Sequence, residues 1–369
     1  MEEQFYAIAL MLVPGIGLAG KRHLLNEAGS AKKLFESRRE LQEQIPSLPH
    51  RVLDLLDCPS ALKRAEEEMA FIEKHHIRCL TFNDEDYPSR LRECDDAPIV
   101  LYYKGNADLN AIRVVAMVGT RQATTYGQDI CSRFYQELKE AVPEVLVVSG
   151  LAYGIDICSH RAALRNGFDT VGVLAHGLDR LYPSQHRNTA MQMVEHGGLL
   201  TEFMTQTNPD RQNFIMRNRI VAGMSDATIV VESAVKGGAL VTADIANSYQ
   251  RECFAFPGRI GDEYSIGCNN LIKQNKAALI TSAADFVEAM GWGDQRQKPK
   301  TVQRELFVDL TEEEQLVVDK LKGSPSGKQI NTLVVETNLP VNKMSALLFE
   351  LEMRGVVQSM AGGIYRVIS

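Results

Sequence analysis

The run Val114-Val115-Ala116-Met117-Val118 passes without a break into Gly119-Thr120-Arg121-Gln122-Ala123-Thr124-Thr125-Tyr126-Gly127, and a helical pattern begins near Gln128. A β-branched run, a turn of small residues and a helix make the opening of a parallel-sheet unit, with the amides of the helix N-terminus facing the carboxyl end of the strand. Working outward, comparable runs recur at 145–148, 171–174, 228–231, 253–256 and 278–281, each closed by small or polar residues. Six short strands alternating with helical stretches predict an open Rossmann-like parallel sheet.

The flanks read differently. Before the sheet, Phe5, Ile8, Leu12, Leu24, Leu25, Ala28, Val52, Leu55, Leu56, Ala65, Met69 and Ile72 recur at helical spacing, which predicts an all-helical domain over 1–82. The sheet domain is expected over 83–290, and a polar linker over 291–308. Residues 309–369 offer helices at 311–321 and 341–353, then a hairpin turning on Gly362-Gly363, the pattern of a winged helix. The chain of 369 residues is long enough for two to three domains at roughly 150 residues each. The class is thus multidomain α/β: a central Rossmann-like sheet, an N-terminal helical domain of helix-hairpin-helix or SAM-like type, and a C-terminal winged helix.

The formal charge is -7, so any nucleic-acid binding must come from a local patch. No apolar run approaches the roughly 20 residues of a membrane span, and acidic Glu2 and Glu3 stand where a secretory signal needs basic residues. The seven cysteines include no C-x-x-C pair and read as reduced packing residues. The expectation is a cytoplasmic protein without a membrane partner, metal or cofactor.

The segment Gly15-Ile16-Gly17-Leu18-Ala19-Gly20-Lys21 approaches a P-loop, but Arg22 replaces the magnesium-holding hydroxyl and a helix precedes it. It fits a turn between helices, either a phosphate-gripping helix-hairpin-helix or a plain connection. The loop 119–127 lacks G-x-G-x-x-G and offers Arg121 as a fixed cation, which suits a phosphodiester better than a dinucleotide; the alternative is an ordinary turn whose arginine pairs with a carboxylate. A second loop, Ser149-Gly150-Leu151-Ala152-Tyr153-Gly154-Ile155-Asp156, opens another helix beside it. Asp156 and His160 are four apart, but the reading favours Asp156 as a brace for its loop. Arg211-Gln212-Asn213-Phe214-Ile215-Met216-Arg217-Asn218-Arg219 combines three arginines with an aromatic residue, suited to phosphate and to base stacking. Gly237-Gly238 then opens a third anion-binding loop after the strand ending in Val231-Glu232. No nucleophile, base and orienting group occur together, so no catalytic residues are expected.

Taken in order, Val118-Gly119-Thr120-Arg121, 149–156, Arg217-Asn218-Arg219-Ile220, Val231-Glu232 with Gly238-Ala239-Leu240-Val241-Thr242, and Phe256-Pro257-Gly258 resemble the DprA/Smf family of bacterial DNA-processing proteins of natural transformation. The resemblance is strong over about 87–290 and looser at both ends. It implies single-stranded DNA binding, dimerisation through the Rossmann-like domain, and delivery of protected DNA to the RecA recombinase. Carried over by position, it implies a DNA pocket using Gly119 and Arg121 with Arg211 and Phe214. Thr120, Thr124, Ser149, Gly150, Arg217, Asn218, Arg219, Gly237 and Gly238 complete the candidate nucleic-acid-binding set. Two departures stand out: Ile215 replaces the usual proline after the phenylalanine, and Gly237-Gly238 replaces the usual Ser-Gly.

Two other readings are carried. The glycine-rich loop 237–242 is similar to that of lysine-decarboxylase-like nucleotide phosphoribohydrolases, although the nearest acidic residue to their catalytic Glu is Asp244. A winged-helix transcription regulator is opposed by charge, since 309–369 holds eight acidic residues against six basic ones.

Overall fold

The computed structural model of the chain describes residues 2–37, 54–293, 310–322, 324, 327–360 and 363–367. It forms two compact units, Met1–Gly293 and Asp294–Ser369. Val52 of the helical pattern, most of the expected linker and Gly362 of the expected hairpin lie outside the described residues.

The first unit is built on a nine-stranded sheet: β1 Arg78–Thr81, β2 Val100–Gly105, β3 Val114–Val118, β4 Leu146–Ser149, β5 Thr170–Val173, β6 Gly197–Thr201, β7 Ala227–Val230, β8 Glu252–Ala255 and β9 Ala278–Leu279. Their spatial order is β1-β2-β6-β5-β4-β3-β7-β8-β9. From β6 to β9 every pairing is parallel, and β2 joins β6, and β1 joins β2, antiparallel. The sheet therefore has three strands more than the sequence pattern predicts. Residues 78–81, inside the stretch expected to be helical, form β1 because Cys79, Leu80 and Thr81 are buried where they pair with β2. In β6, Gly197-Gly198 hides the strand signal: Gly197 has φ of +130°, and a side chain at Gly198 would collide with the Tyr103 ring on β2.

All five residues of β3 are buried, as expected of a central parallel strand covered on both faces. One core layer packs Val114, Ala116 and Val118 with Ile220, Val221 and Ala243, and the other packs Val115 and Met117 with Ile130, Phe134 and Phe286. Chain order runs from β3 through β4 and β5 to β6, then returns to the far side of β3 for β7. That reversal opens a crevice between the loops that follow β3 and β7, the position where open α/β sheets bind ligands.

Ahead of the sheet come helices Glu2–Leu12, Leu18–Ala28, Ala31–Glu36 and Pro59–His75. Glu3 caps the third of them, accepting from the Ala31 and Lys32 amides. The Lys21 ammonium, buried at the glycine-rich turn, donates to the Met11 carbonyl at 2.6 Å and so ties the turn to the end of the first helix. Glu68, also buried, accepts from the Thr205 amide at 3.0 Å and pairs with Arg64, which fastens the helical part to the connection after β6.

The second unit has helices Glu312–Lys322, Ile330–Thr337 and Val341–Met353, with a three-stranded sheet of β10 Lys328–Gln329, β11 Val357–Met360 and β12 Ile364–Val367 in the order β10-β12-β11. Thr311 and Glu314 form a reciprocal cap on the first helix, which is the reason the helix starts there. Leu333, Met344, Leu348 and Leu351 fill its core. This is a winged helix.

Candidate nucleic-acid interface

The loops that end β3, β4 and β7 are braced against one another. Gly119 and Gly154 permit it: a side chain at Gly119 would lie 2.4 Å from Ile155, and one at Gly154 would lie 2.1 Å from the Thr120 carbonyl. The Ile155 amide donates to that carbonyl at 3.1 Å, and the Thr120 amide donates to the Glu232 carbonyl at 2.7 Å. The first loop is thereby held at the carboxyl edge of the sheet with Arg121 exposed.

Thr124 caps the helix Thr125–Ala141, accepting from the Gly127 amide. Its own amide and hydroxyl both donate to the buried Glu232 carboxylate. An anion from within the chain therefore occupies the helix N-terminus that the sequence reading assigned to a phosphate. Gly127 is required by the same contact, since a Cβ there would stand 2.3 Å from Glu232 Oε2. The third loop differs. Helix Gly238–Ser248 starts from Gly237 with no side-chain cap, and both glycines are exposed.

Phe214 lies on helix Arg211–Gly223, whose N-cap Asp210 accepts from the Asn213 amide at 2.9 Å. The Arg121 guanidinium stacks over the half-buried Phe214 ring at 4.8 Å, Arg217 lies 5.8 Å from it, and Tyr182 meets it edge-on at 5.9 Å. Arg211, exposed, is three residues ahead on the same helix and so shares its face with Phe214. Arg121 and Phe214 are thus in contact, and exposed Arg211 lies one turn before Phe214; this face is the candidate groove.

The other two arginines of the cluster turn inward. Arg217 is buried and donates to the Gly150 carbonyl at 2.5 Å and to the Val173 carbonyl. Its guanidinium occupies the space over Gly150, where a Cβ would stand 2.4 Å from Nη2. Burial lowers its pKa to about 10, and Asp156 opposes the shift. Arg219 is buried in an ion pair with Glu202, itself nearly buried. Asn218 reaches the Gly238 carbonyl at 3.4 Å and links the helix to the third loop. Ser149 is buried and donates to the Met117 carbonyl at 2.6 Å.

Asp156 accepts from the Ala152 amide at 3.4 Å and braces its loop; burial, countered by Arg217, raises its pKa. His160 faces elsewhere. The Thr170 hydroxyl donates to the Val147 carbonyl, so His160 Nδ1–H donates to Thr170 Oγ1 at 2.7 Å, and burial pushes the imidazole pKa down to about 3. Asp244 pairs with Lys276 at 2.8 Å. Among the described residues no group of three or more His, Cys, Asp or Glu is placed to hold a metal ion, and no helix is long and apolar enough to cross a membrane.

Sequence reasoning did not assign Glu232 or Tyr182 a role. Glu232 carries a local signal, a carboxylate directly after a buried strand. Tyr182 reaches Phe214 from a loop 32 positions away, and nothing local announces that.

Comparison with known proteins agrees with this architecture. Residues 78–291 match the family model described as DNA recombination-mediator protein A, and 305–363 match the DprA winged helix domain. Protein Smf of Synechocystis sp. is 31% identical over 402 aligned residues, covering 99% of this chain and 98% of the relative. The DNA processing protein DprA of Streptococcus pneumoniae is 39% identical over 204 residues, covering 55% of this chain and 71% of the relative. The X-ray structure of DprA from Streptococcus pneumoniae superposes with a TM-score of 0.58 at 33% identity, covering 74% of this chain and 98% of that one. DNA processing protein A from Helicobacter pylori, whose structure concerns a single-stranded DNA binding mode, gives 0.53 at 28% identity over 58% of this chain and 96% of that one. With a family model covering more than half its length and a relative aligned end to end, the chain belongs to the DprA/Smf family of DNA-processing proteins.

Proposed function

We propose that this chain binds single-stranded DNA along the carboxyl edge of its sheet, protects it, and delivers it to the RecA recombinase during transformation or recombination. One observation carries the reading: an exposed arginine, Arg121, stacked on the half-buried Phe214 ring at 4.8 Å, in a groove shared with Arg211. A planar cation beside an aromatic face grips phosphate and stacks bases without reading sequence. Gly119, Thr120, Asn218, Gly237 and Gly238 extend the groove as backbone and amide contacts. Ser149, Gly150, Thr124, Arg217 and Arg219 serve it from beneath, because their polar atoms are engaged within the fold. The single-stranded DNA binding mode of the Helicobacter pylori protein supports the choice of ligand.

The role is binding rather than catalysis, in the cytoplasm, by a homodimer joined through the sheet domain. The helical part to residue 82, the sheet domain 83–290, the linker 291–308 and the winged helix 309–369 are proposed as its working divisions. The winged helix is assigned to protein contacts: Lys343, the cation of helix Val341–Met353, pairs with Glu313, and Phe349 and Met353 are exposed there. A mobility-shift titration with single-stranded and duplex oligonucleotides at one salt concentration, beside a nucleotide-hydrolysis assay, tests the reading. Tighter binding to single strands without hydrolysis is the expected result, and equal or tighter duplex binding contradicts it.

A further inference from the structure

A second cleft adjoins the groove on its β8 side. It has a volume of about 710 Å³ and is walled by Tyr126, Pro257, Arg259, Asp262, Glu263 and Tyr264, within the roughly 300–1,000 Å³ usual for small-ligand sites. Its walls are fixed. The Tyr126 hydroxyl donates to the Pro257 carbonyl at 2.6 Å, and the Tyr264 hydroxyl donates to the side-chain carbonyl of Gln122. Asn269 holds both polar atoms of Gly258, at 3.1 and 3.0 Å. The turn folds back on itself so closely that a Cβ at Gly258 would lie 2.0 Å from Ser265 Oγ.

Thr124 and Glu232, which also line the cleft, are bonded to each other, but three of its charged groups are open for use. Arg259, Asp262 and Glu263 are exposed, and among the described residues their side chains make no hydrogen bond or ion pair within the chain. Two tyrosine rings and a proline offer flat apolar surface, the carboxylates offer acceptors, and one arginine offers a cation. That combination matches a flat ring bearing an amino group and attached to a phosphate. The carboxylates repel a phosphate and accept from an exocyclic amine, so they admit a base with its ring pointing inward. The location fits as well. Gln122, bonded to Tyr264, directly follows Arg121, so a strand gripped at Arg121 and Phe214 passes the cleft within a nucleotide or two.

We infer that this cleft is a nucleobase subsite for the strand held at Arg121 and Phe214, selecting bases with an exocyclic amine over those without. The inference rests on the single-stranded DNA reading. Adenine, cytosine and guanine carry such a donor, and thymine does not. Arg259 takes the phosphate next to the bound base.

The test uses the full chain and two oligonucleotides identical except that one carries deoxyadenosine where the other carries purine deoxyriboside, the same ring without its amine. Fluorescence anisotropy should show the wild type favouring adenine roughly tenfold, the size of one good hydrogen bond. The exposed double variant Asp262→Ala/Glu263→Ala should lose the preference and bind the two strands with equal affinity. Equal binding by the wild type, or a preference that survives the double variant, overturns the inference while leaving single-stranded DNA binding intact. Failure of the wild type to bind either strand removes the underlying reading and the subsite with it.

Discussion

The Glu232 carboxylate receives both the amide and the hydroxyl of Thr124, so the helix that starts at the sheet's crevice is capped by an acid from the neighbouring strand's loop. The pair links the loops after β3 and β7 across the switch point and fills the place a dinucleotide's pyrophosphate takes in other open sheets. Glu232→Ala should lower stability by roughly 1–3 kcal/mol, the cost of leaving buried donors without their charged acceptor. It should also leave a vacant helix N-terminus, so that phosphate or sulfate raises the melting temperature of the variant more than that of the wild type. Thermal melts with and without phosphate check both effects, and equal shifts count against the assignment.

Arg121 and Arg211 are exposed and lie in no core cluster. Arg121→Ala and Arg211→Ala should melt like the wild type yet each weaken single-stranded DNA binding about tenfold, and each should reduce the salt slope by about 0.7 for a lost phosphate contact. Titrations at several salt concentrations give both numbers. Normal binding by both variants would move the groove elsewhere.

Gly150→Ala is expected to act through Arg217. The added methyl would stand 2.4 Å from the guanidinium, which must then leave the Gly150 and Val173 carbonyls. A loss of roughly 2–4 kcal/mol in stability follows from charged hydrogen bonds broken in a buried site. Because Arg217 also sits 5.8 Å from Phe214, DNA affinity should fall with it. Chemical denaturation and DNA titration of the same variant separate the two effects.

Acid should act through His160. Burial first, with His186 and Arg217 adding to it, lowers its pKa from 6.5 to about 3. The unfolded chain takes up a proton below pH 6.5 that the folded chain refuses, so this residue makes stability fall as the pH drops from 6.5 towards 3, by about 1.4 kcal/mol per pH unit within that window. Denaturation curves between pH 7 and about 5 should be flatter with pH in His160→Gln than in the wild type. Parallel pH profiles would show that the imidazole titrates normally in the fold.

Removal of the second unit should leave the DNA groove unaffected. A chain ending at Gly293 retains every residue placed in the groove, and the cation of the deleted helix Val341–Met353, Lys343, is already paired with Glu313. Its affinity for single strands should stay within a few-fold of the full chain. A tenfold loss, about 1.4 kcal/mol, would give the winged helix a share in the grip.

Six of the parallel strands were legible because each is a short apolar run closed by small or polar residues, and the family motifs at 118–121, 149–156 and 217–220 fall on the loops and helix that the fold brings to one edge. What escaped was non-local. β1 is four residues long, and β6 is disguised by two glycines that the close approach of β5 and Tyr103 demands. An arginine's spacing says nothing of which way it turns: Arg211, Arg217 and Arg219 share one helix, yet only Arg211 stays in solvent, because Gly150 and Glu202 draw the other two inward. The partner of Thr124 was hidden for the same reason, since Glu232 lies 108 positions away.

The β9 end of the sheet bears on assembly. β9 is a two-residue strand, Ala278–Leu279, and offers too short a backbone ladder for another chain to pair with, as natural edges that resist templated aggregation do. Two copies meeting at this end would have to join through side chains, such as the half-exposed Leu279 and those of helix Ile266–Lys273, and would remain separate sheets. Such a junction can be broken by single surface substitutions and reformed without refolding.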